Sequence, residues 1–271
     1  MKSNRRYLCL TITLLVAALA GGNAEAADLN VATGEKHSCG WIRNGPLKCW
    51  GGNAFGQLGL GDTMPRGSTA GSMGNALKEV VLTSGGHPVR VALGDYHGCA
   101  LMDNGDVKCW GDNNYGQLGL GDTNHRGDAP GEMGNNLPAI ELGTDPATNL
   151  PVLASEIGAF GYHSCAMLSN GKIKCWGNNN DGQLGQGDNL HRGDGAYEMG
   201  DFLSFVSLGP GRRATKVTGG GNHVCALLDE RNVKCWGWNT YGQLGLGDTN
   251  SGGDAVNEMG NFLPAIDLGT R

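Results

Sequence analysis

The sequence predicts an all-β fold of propeller-type blades, and three observations predict it. One unit recurs four times around the pattern Cys-Trp-Gly-x-Asn-x-x-Gly-Gln-Leu-Gly-x-Gly-Asp. Each copy carries two cysteines ten residues apart: Cys39 and Cys49, Cys99 and Cys109, Cys165 and Cys175, Cys225 and Cys235. The second cysteines fall 60, 66 and 60 residues apart, about one blade each. Self-similarity at a fixed period decides the architecture before any single residue does.

Read from the start, Lys2, Arg5 and Arg6 precede an apolar run over 7–20, and Ala24-Glu25-Ala26 supplies a small-x-small cleavage pattern. Residues 1–26 therefore read as a secretory signal peptide. The run is shorter than the ~20 residues a membrane-spanning helix needs. Cys9 lies inside it and leaves with it. Removing Lys2, Arg5, Arg6 and Glu25 from 20 basic and 26 acidic residues leaves 17 against 25, a net charge of −8. No basic run follows, which argues against nucleic acid and anionic membranes as partners. A secreted, periplasmic or cell-surface location is expected. Residues 27–271 form the repeat domain, with copies over approximately 29–88, 89–154, 155–213 and 214–271. The 49 glycines serve as turn and close-packing residues of a β-rich repeat. No segment holds the long apolar period of an amphipathic helix.

Within a copy the cysteines flank a hairpin. Gly98-Cys99-Ala100-Leu101-Met102 leads into Asp103-Asn104-Gly105-Asp106, and Val107-Lys108-Cys109-Trp110 returns. Asn-Gly between apolar runs is a strong hairpin signal. It recurs as Asn44-Gly45 and Asn170-Gly171, while the fourth copy has Asp229-Glu230-Arg231-Asn232. Cys99 and Cys109 are symmetric about Asn104, so they face each other across the hairpin at disulfide distance. Equivalent cysteines take equivalent partners, which gives four bridges inside four copies and suits an oxidising compartment. Zinc is the competing reading, but ten-residue spacing lacks the close Cys-x-x-Cys pair of a tetrahedral site.

The motif, taken with the repeat and the hairpin, resembles the regulator of chromosome condensation repeat family. The residues that carry the resemblance are Trp50-Gly51-Gly52-Asn53 with Gly56-Gln57-Leu58-Gly59-Leu60-Gly61-Asp62, and the copies beginning at Trp110, Trp176 and Trp236. The added cysteines, and tails such as Glu258-Met259-Gly260-Asn261-Phe262-Leu263-Pro264, look like the secreted bacterial branch. The resemblance implies blades of four antiparallel strands in seven-bladed rings. Four copies leave three arrangements open: an open arc, a ring completed by oligomerisation, or a shortened gene product. Leu29-Asn30-Val31-Ala32 reads like Ala214–Val217, and Ala265–Gly269 like Ala139–Gly143. The two outermost segments are thus complementary pieces of one blade.

His37, His97, His163 and His223 precede the first cysteine of each pair by two residues. A ring of four suggests metal. No Asp or Glu sits at a repeated spacing that would orient them as ligands, and the reading adopted is a hydrogen bond inside each blade, with no metal site. Trp50, Trp110, Trp176 and Trp236 could form a sugar platform; the reading adopted is packing between blades. Asp62, Asp122, Asp188 and Asp248 end the Gly-x-Gly-Asp turn and are read as caps of that turn, since isolated carboxylates lack the oxygen ligands calcium takes. Arg126-Gly127-Asp128 and Arg192-Gly193-Asp194 spell an adhesion tripeptide, read as a by-product of repeat drift. The residue before Gly-Gln-Leu-Gly varies on a fixed frame as Phe55, Tyr115, Asp181 and Tyr241, the pattern of a binding position.

No catalytic motif for a serine hydrolase, zinc protease or phosphate-binding loop is present, and no cofactor is expected. The leading functional expectation is a secreted, disulfide-stabilised scaffold that binds another macromolecule, protein first and glycan second. The resemblance implies one alternative, guanine-nucleotide exchange on a small GTPase. A polysaccharide-acting enzyme on a propeller frame is another.

Overall fold

In a computed structural model, residues 29–43, 45–145 and 148–269 are described. Residues 1–26, read above as a signal peptide, and Asn44 lie outside them. Four three-stranded antiparallel sheets follow one another along the chain. The first holds β1 (Leu29–Thr33), β2 (His37–Ile42) and β3 (Leu47–Gly51). The second holds β4 (Pro88–Leu93), β5 (His97–Met102) and β6 (Val107–Gly111). The third holds β7 (Ala154–Phe160), β8 (His163–Leu168) and β9 (Ile173–Gly177), and the fourth β10 (Ala214–Gly219), β11 (His223–Leu228) and β12 (Val233–Gly237). In every sheet the middle strand begins at the repeated histidine. Sheets pack in chain order, β1 against β4, β4 against β7 and β7 against β10. The result is an arc of blades. Residues of β1, β4, β7 and β10 line its inner groove of about 530 Å³.

The hairpins form where the sequence places them. Gly105 and Gly171 adopt φ of 87° and 77°, the left-handed conformation that costs glycine no Cβ clash. The loop is three residues long: Gly105 N–H donates to Met102 O at 3.0 Å, and Met102 N–H to Asp106 O at 2.8 Å. Arg231 holds the equivalent position in the fourth copy at φ 63°. The register sets Cys39 opposite Cys49, Cys99 opposite Cys109, Cys165 opposite Cys175 and Cys225 opposite Cys235. All four pairs are disulfides inside their own sheet, with Cα atoms 4.0–4.1 Å apart.

The fourth strand implied by the family resemblance is reduced to an extended segment. Val80, Ile140, Val206 and Ile266 each donate one backbone bond of 2.8 Å, to Leu47, Val107, Ile173 and Val233. Pro138 and Pro264 have no N–H to extend such a ladder. The segment's other edge joins the next blade, where Gly134, Gly200 and Gly260 donate at 2.9 Å to Val81, Glu141 and Ser207. A buried lysine completes the join. Lys108 Nζ donates to Leu82 O at 2.8 Å and Gly134 O at 3.2 Å, and Lys234 Nζ to Leu208 O and Gly260 O at 2.9 and 2.7 Å. Burial pushes the pKa of Lys108, Lys174 and Lys234 down. Lys174 Nζ donates to Gly200 O at 2.6 Å, so each ammonium has at least one carbonyl acceptor in the join.

Each disulfide closes a loop of similar length inside one sheet. Replacing Cys99 and Cys109 together by alanine is expected to lower the unfolding free energy by about 2–3 kcal/mol, read from the urea midpoint.

Candidate functional site

The blades are held by one contact made three times. The Nε1 of Trp110, Trp176 and Trp236 donates at 3.0 Å to the backbone oxygen of Gln57, Gln117 and Gln183 in the preceding copy. These three indoles are fully buried, so they pack between blades and offer no sugar platform, while Trp50 is half-buried. Beside them Gly61, Gly121 and Gly187 donate at 2.9–3.0 Å to Gly127, Gly193 and Gly253. The chains meet closely there: a Cβ on Gly56 would lie 2.3 Å from the backbone nitrogen of Asp128. The adhesion-like tripeptides are inside this junction. Arg126 pairs with Asp122 and Arg192 with Asp188, each at 2.7 Å.

Asp62, Asp122, Asp188 and Asp248 cap their own turns, each accepting the backbone N–H two residues on at 2.9 Å. In the first three copies the second carboxylate oxygen takes an arginine four residues ahead. Gly252 replaces that arginine in the fourth.

The histidines depart from the expected hydrogen bond within each blade. His37, His97 and His163 are buried, and neither ring nitrogen of His37 or His163 has a hydrogen-bond partner. His97 Nε2 meets Ser164 Oγ at 2.9 Å, across to the next sheet. Each ring stands where glycines let the turns converge: a Cβ on Gly94 would lie 2.2 Å from His97 Cε1. Burial lowers the pKa of His37 to about 4 and of His97 and His163 to about 3. The neutral ring is therefore the folded form. Among the described residues, no group of three His, Cys, Asp or Glu is placed to hold a metal ion.

The varying position before Gly-Gln-Leu-Gly reaches the next blade. Phe55 meets Tyr96 edge to face, with centroids 5.4 Å apart, and Tyr115 meets Tyr162 at 5.5 Å. Tyr96 and Tyr162 are 5.9 Å apart. His125 and His191 close the two flanks at 5.4 Å from Phe55 and 5.2 Å from Tyr115. Six rings thus run without a break across three blades, in the order His125, Phe55, Tyr96, Tyr162, Tyr115, His191. In the third junction polar groups stand in their place, with Asn222 Nδ2 donating to Asp181 Oδ2 at 3.1 Å. Tyr241 is exposed and meets Trp238 edge to face, with centroids 5.2 Å apart. Sequence reasoning missed Tyr96 and Tyr162. Their signal was present, since Lys36, Tyr96, Tyr162 and Asn222 vary at one fixed place before the histidine.

A cleft of about 420 Å³ opens over the rings. Phe55, Tyr96, Tyr115 and Tyr162 are half-buried there, with one surface packed and one open. Lys36 Nζ donates to the Tyr96 hydroxyl at 3.0 Å. Asp112 is buried at the cleft floor, held by Gln117 Nε2 at 2.9 Å and Asn114 Nδ2 at 2.7 Å, and its burial raises its pKa. Asp95, next to Tyr96 in the chain, is also raised, by burial first and Glu35 second. The arrangement offers flat apolar faces, hydroxyls and the ammonium of Lys36.

The histidine layer makes folding sensitive to acid. Folded-state values near 3–4 lie below the ordinary 6.5, so between these limits the unfolded chain binds more protons. Stability is expected to be full above about pH 6.5 and to fall steadily as the pH drops toward 3. Urea unfolding across that range checks it, and His97→Asn and His163→Asn together should flatten the slope.

Sequence and structure comparisons place this architecture. The models described as "Regulator of chromosome condensation (RCC1) repeat" match residues 89–117, 161–183 and 214–243, and a second match covers 104–145. The ultraviolet-B receptor UVR8 of Arabidopsis thaliana is 30% identical over 220 residues, covering 81% of this chain and 43% of the receptor. Human HERC4, a probable E3 ubiquitin-protein ligase, is 35% identical over 162 residues, covering 60% of this chain and 13% of the ligase. The chain thus spans less than half the length of these relatives. Saccharomyces cerevisiae Prp20, described with its binding to Gsp1 and histones, superposes with a TM-score of 0.59 at 19% identity, covering 83% of this chain and 49% of that one. Human WBSCR16 superposes at 0.58 with 23% identity, covering 85% and 51%. At such identities the superpositions speak for the fold. With its four motif copies, its blades and these matches, the chain belongs to the RCC1-repeat family.

Proposed function

We propose that this chain is an exported, disulfide-stapled scaffold that binds another protein at the aromatic face of Phe55, Tyr96, Tyr162 and Tyr115. The unbroken run of six rings over an open cleft carries the reading. Tyrosine presents a large, rigid surface with a polar tip and is enriched where binding energy concentrates. The rings are fixed by contacts between blades, so little side-chain freedom is lost when a partner covers them. Export is supported by the basic-apolar-small pattern of residues 1–26 and by four disulfides, which persist in oxidising compartments. Among the described residues no helix is long and apolar enough to cross a membrane.

A glycan is the second reading, favoured by the same flat tyrosine faces. Nucleotide exchange rests on the family alone. The carboxylates at the cleft favour binding over hydrolysis, because Asp112 is engaged by Gln117 and Asn114 and is shut off from solvent.

The test compares the oxidised protein with Tyr96→Ala/Tyr162→Ala as bait in envelope and culture-fluid fractions, followed by titration of the purified captured protein. The double variant should keep its fold and bind at least tenfold more weakly, the loss expected from removing interface anchors worth about 2 kcal/mol. Equal binding by both forms, or capture by glycan arrays alone, removes the proposal.

A further inference from the structure

We infer that two copies of this chain associate head to tail, the first sheet of one docking on the fourth sheet of the other. The interface is already drawn three times within the molecule, and among the described residues each of its halves also stands open once. The valine or isoleucine facing the preceding blade is 4–5% exposed at Val91, Ile157 and Val217, but 66% exposed at Val31. The leucine facing the following blade is 3–5% exposed at Leu82, Leu142 and Leu208, but 80% exposed at Leu268. Burying such side chains favours association.

The polar groups are left over in matching pairs. Trp110, Trp176 and Trp236 bond a glutamine oxygen of the preceding copy. Trp50 Nε1 and Gln243 O make no such bond among the described residues. In the same way Gly61, Gly121 and Gly187 find glycine oxygens ahead of them, whereas Gly247 N–H and Gly67 O find none among the described residues. Gly134, Gly200 and Gly260 donate to the outer segment of the preceding copy. Gly74 N–H and Asp267 O are the unmatched halves of that bond.

Each unmatched donor on one face has its acceptor on the other, in the geometry the internal junctions use. By the same geometry Tyr241, at the position where Phe55 and Tyr115 reach Tyr96 and Tyr162, would reach Lys36 of the second copy, a cation-on-aromatic pair. The contact is heterologous, and in the inferred pair it is made twice, each first sheet meeting the other chain's fourth, so that the two arcs form one ring.

The test is solution mass by light scattering on the oxidised protein, with Val31→Glu and Leu268→Glu. Both substitutions fall at exposed positions, and circular dichroism verifies that each variant is folded. The parent should run at twice the chain mass. Each variant alone should run at single-chain mass, because every contact then contains one charged face. An equimolar mixture should return to twice the mass, since the intact fourth sheet of Val31→Glu meets the intact first sheet of Leu268→Glu. A parent that stays single at its highest soluble concentration overturns the inference. So does a parent dimer that both variants preserve, or a mixture of folded variants that stays single.

Discussion

The indole N–H of one copy, bonded to the glutamine carbonyl of the copy before it, is the contact on which the arc depends. A three-stranded antiparallel sheet buries little by itself. Here each sheet gains its core from its neighbour. Trp110 belongs to the apolar cluster of the first blade, with Leu47 and Leu58, and Trp176 and Trp236 belong to the clusters that follow. The indole fills the gap while its N–H removes what would otherwise be an unsatisfied buried oxygen, whose desolvation costs about 1–3 kcal/mol. Glycine at positions such as Gly56 permits the approach, because backbone stands where a Cβ would be. Stability in such an array is a sum of weak units and strong neighbours.

That division of labour explains the cysteines and the lysines. A disulfide inside each hairpin stiffens the unit, and a buried lysine joins the outer segment of one blade to the turn of the next. The histidine layer fills the convergent end with neutral rings. The rigid frame then leaves the surface turns free to differ. The turn before the histidine and the turn before Gly-Gln-Leu-Gly meet across each junction, as two tyrosine–aromatic contacts and one Asn222–Asp181 hydrogen bond. Identical backbone geometry thus carries different chemistry from junction to junction, which is how a repeat fold acquires a particular binding surface.

Much of the fold was legible in the residues. The period gave the number of blades, Asn-Gly gave two hairpin tips, and symmetry about Asn104 gave the disulfide partners. The histidines were less legible: a side chain buried without partners gives the same repeat signal as one that is hydrogen-bonded. Half of the candidate site was visible, as Phe55 and Tyr115. Its other half, Tyr96 and Tyr162, lies 41 and 47 residues further along the chain. Only adjacency of blades turns these four into one surface.

The sequence by itself determined the repeat, the strand pairs and the covalent bridges, because these follow from periodicity and from residues close along the chain. The tertiary structure alone decided what lies between copies. The fourth segment became a link to the next blade, the tripeptide Arg126-Gly127-Asp128 was taken into a junction, and rings from separate turns were brought within 6 Å of one another. The reason is geometric: contacts between copies depend on the angle and distance at which sheets pack, and those are set by the sum of many side-chain volumes that no local pattern records.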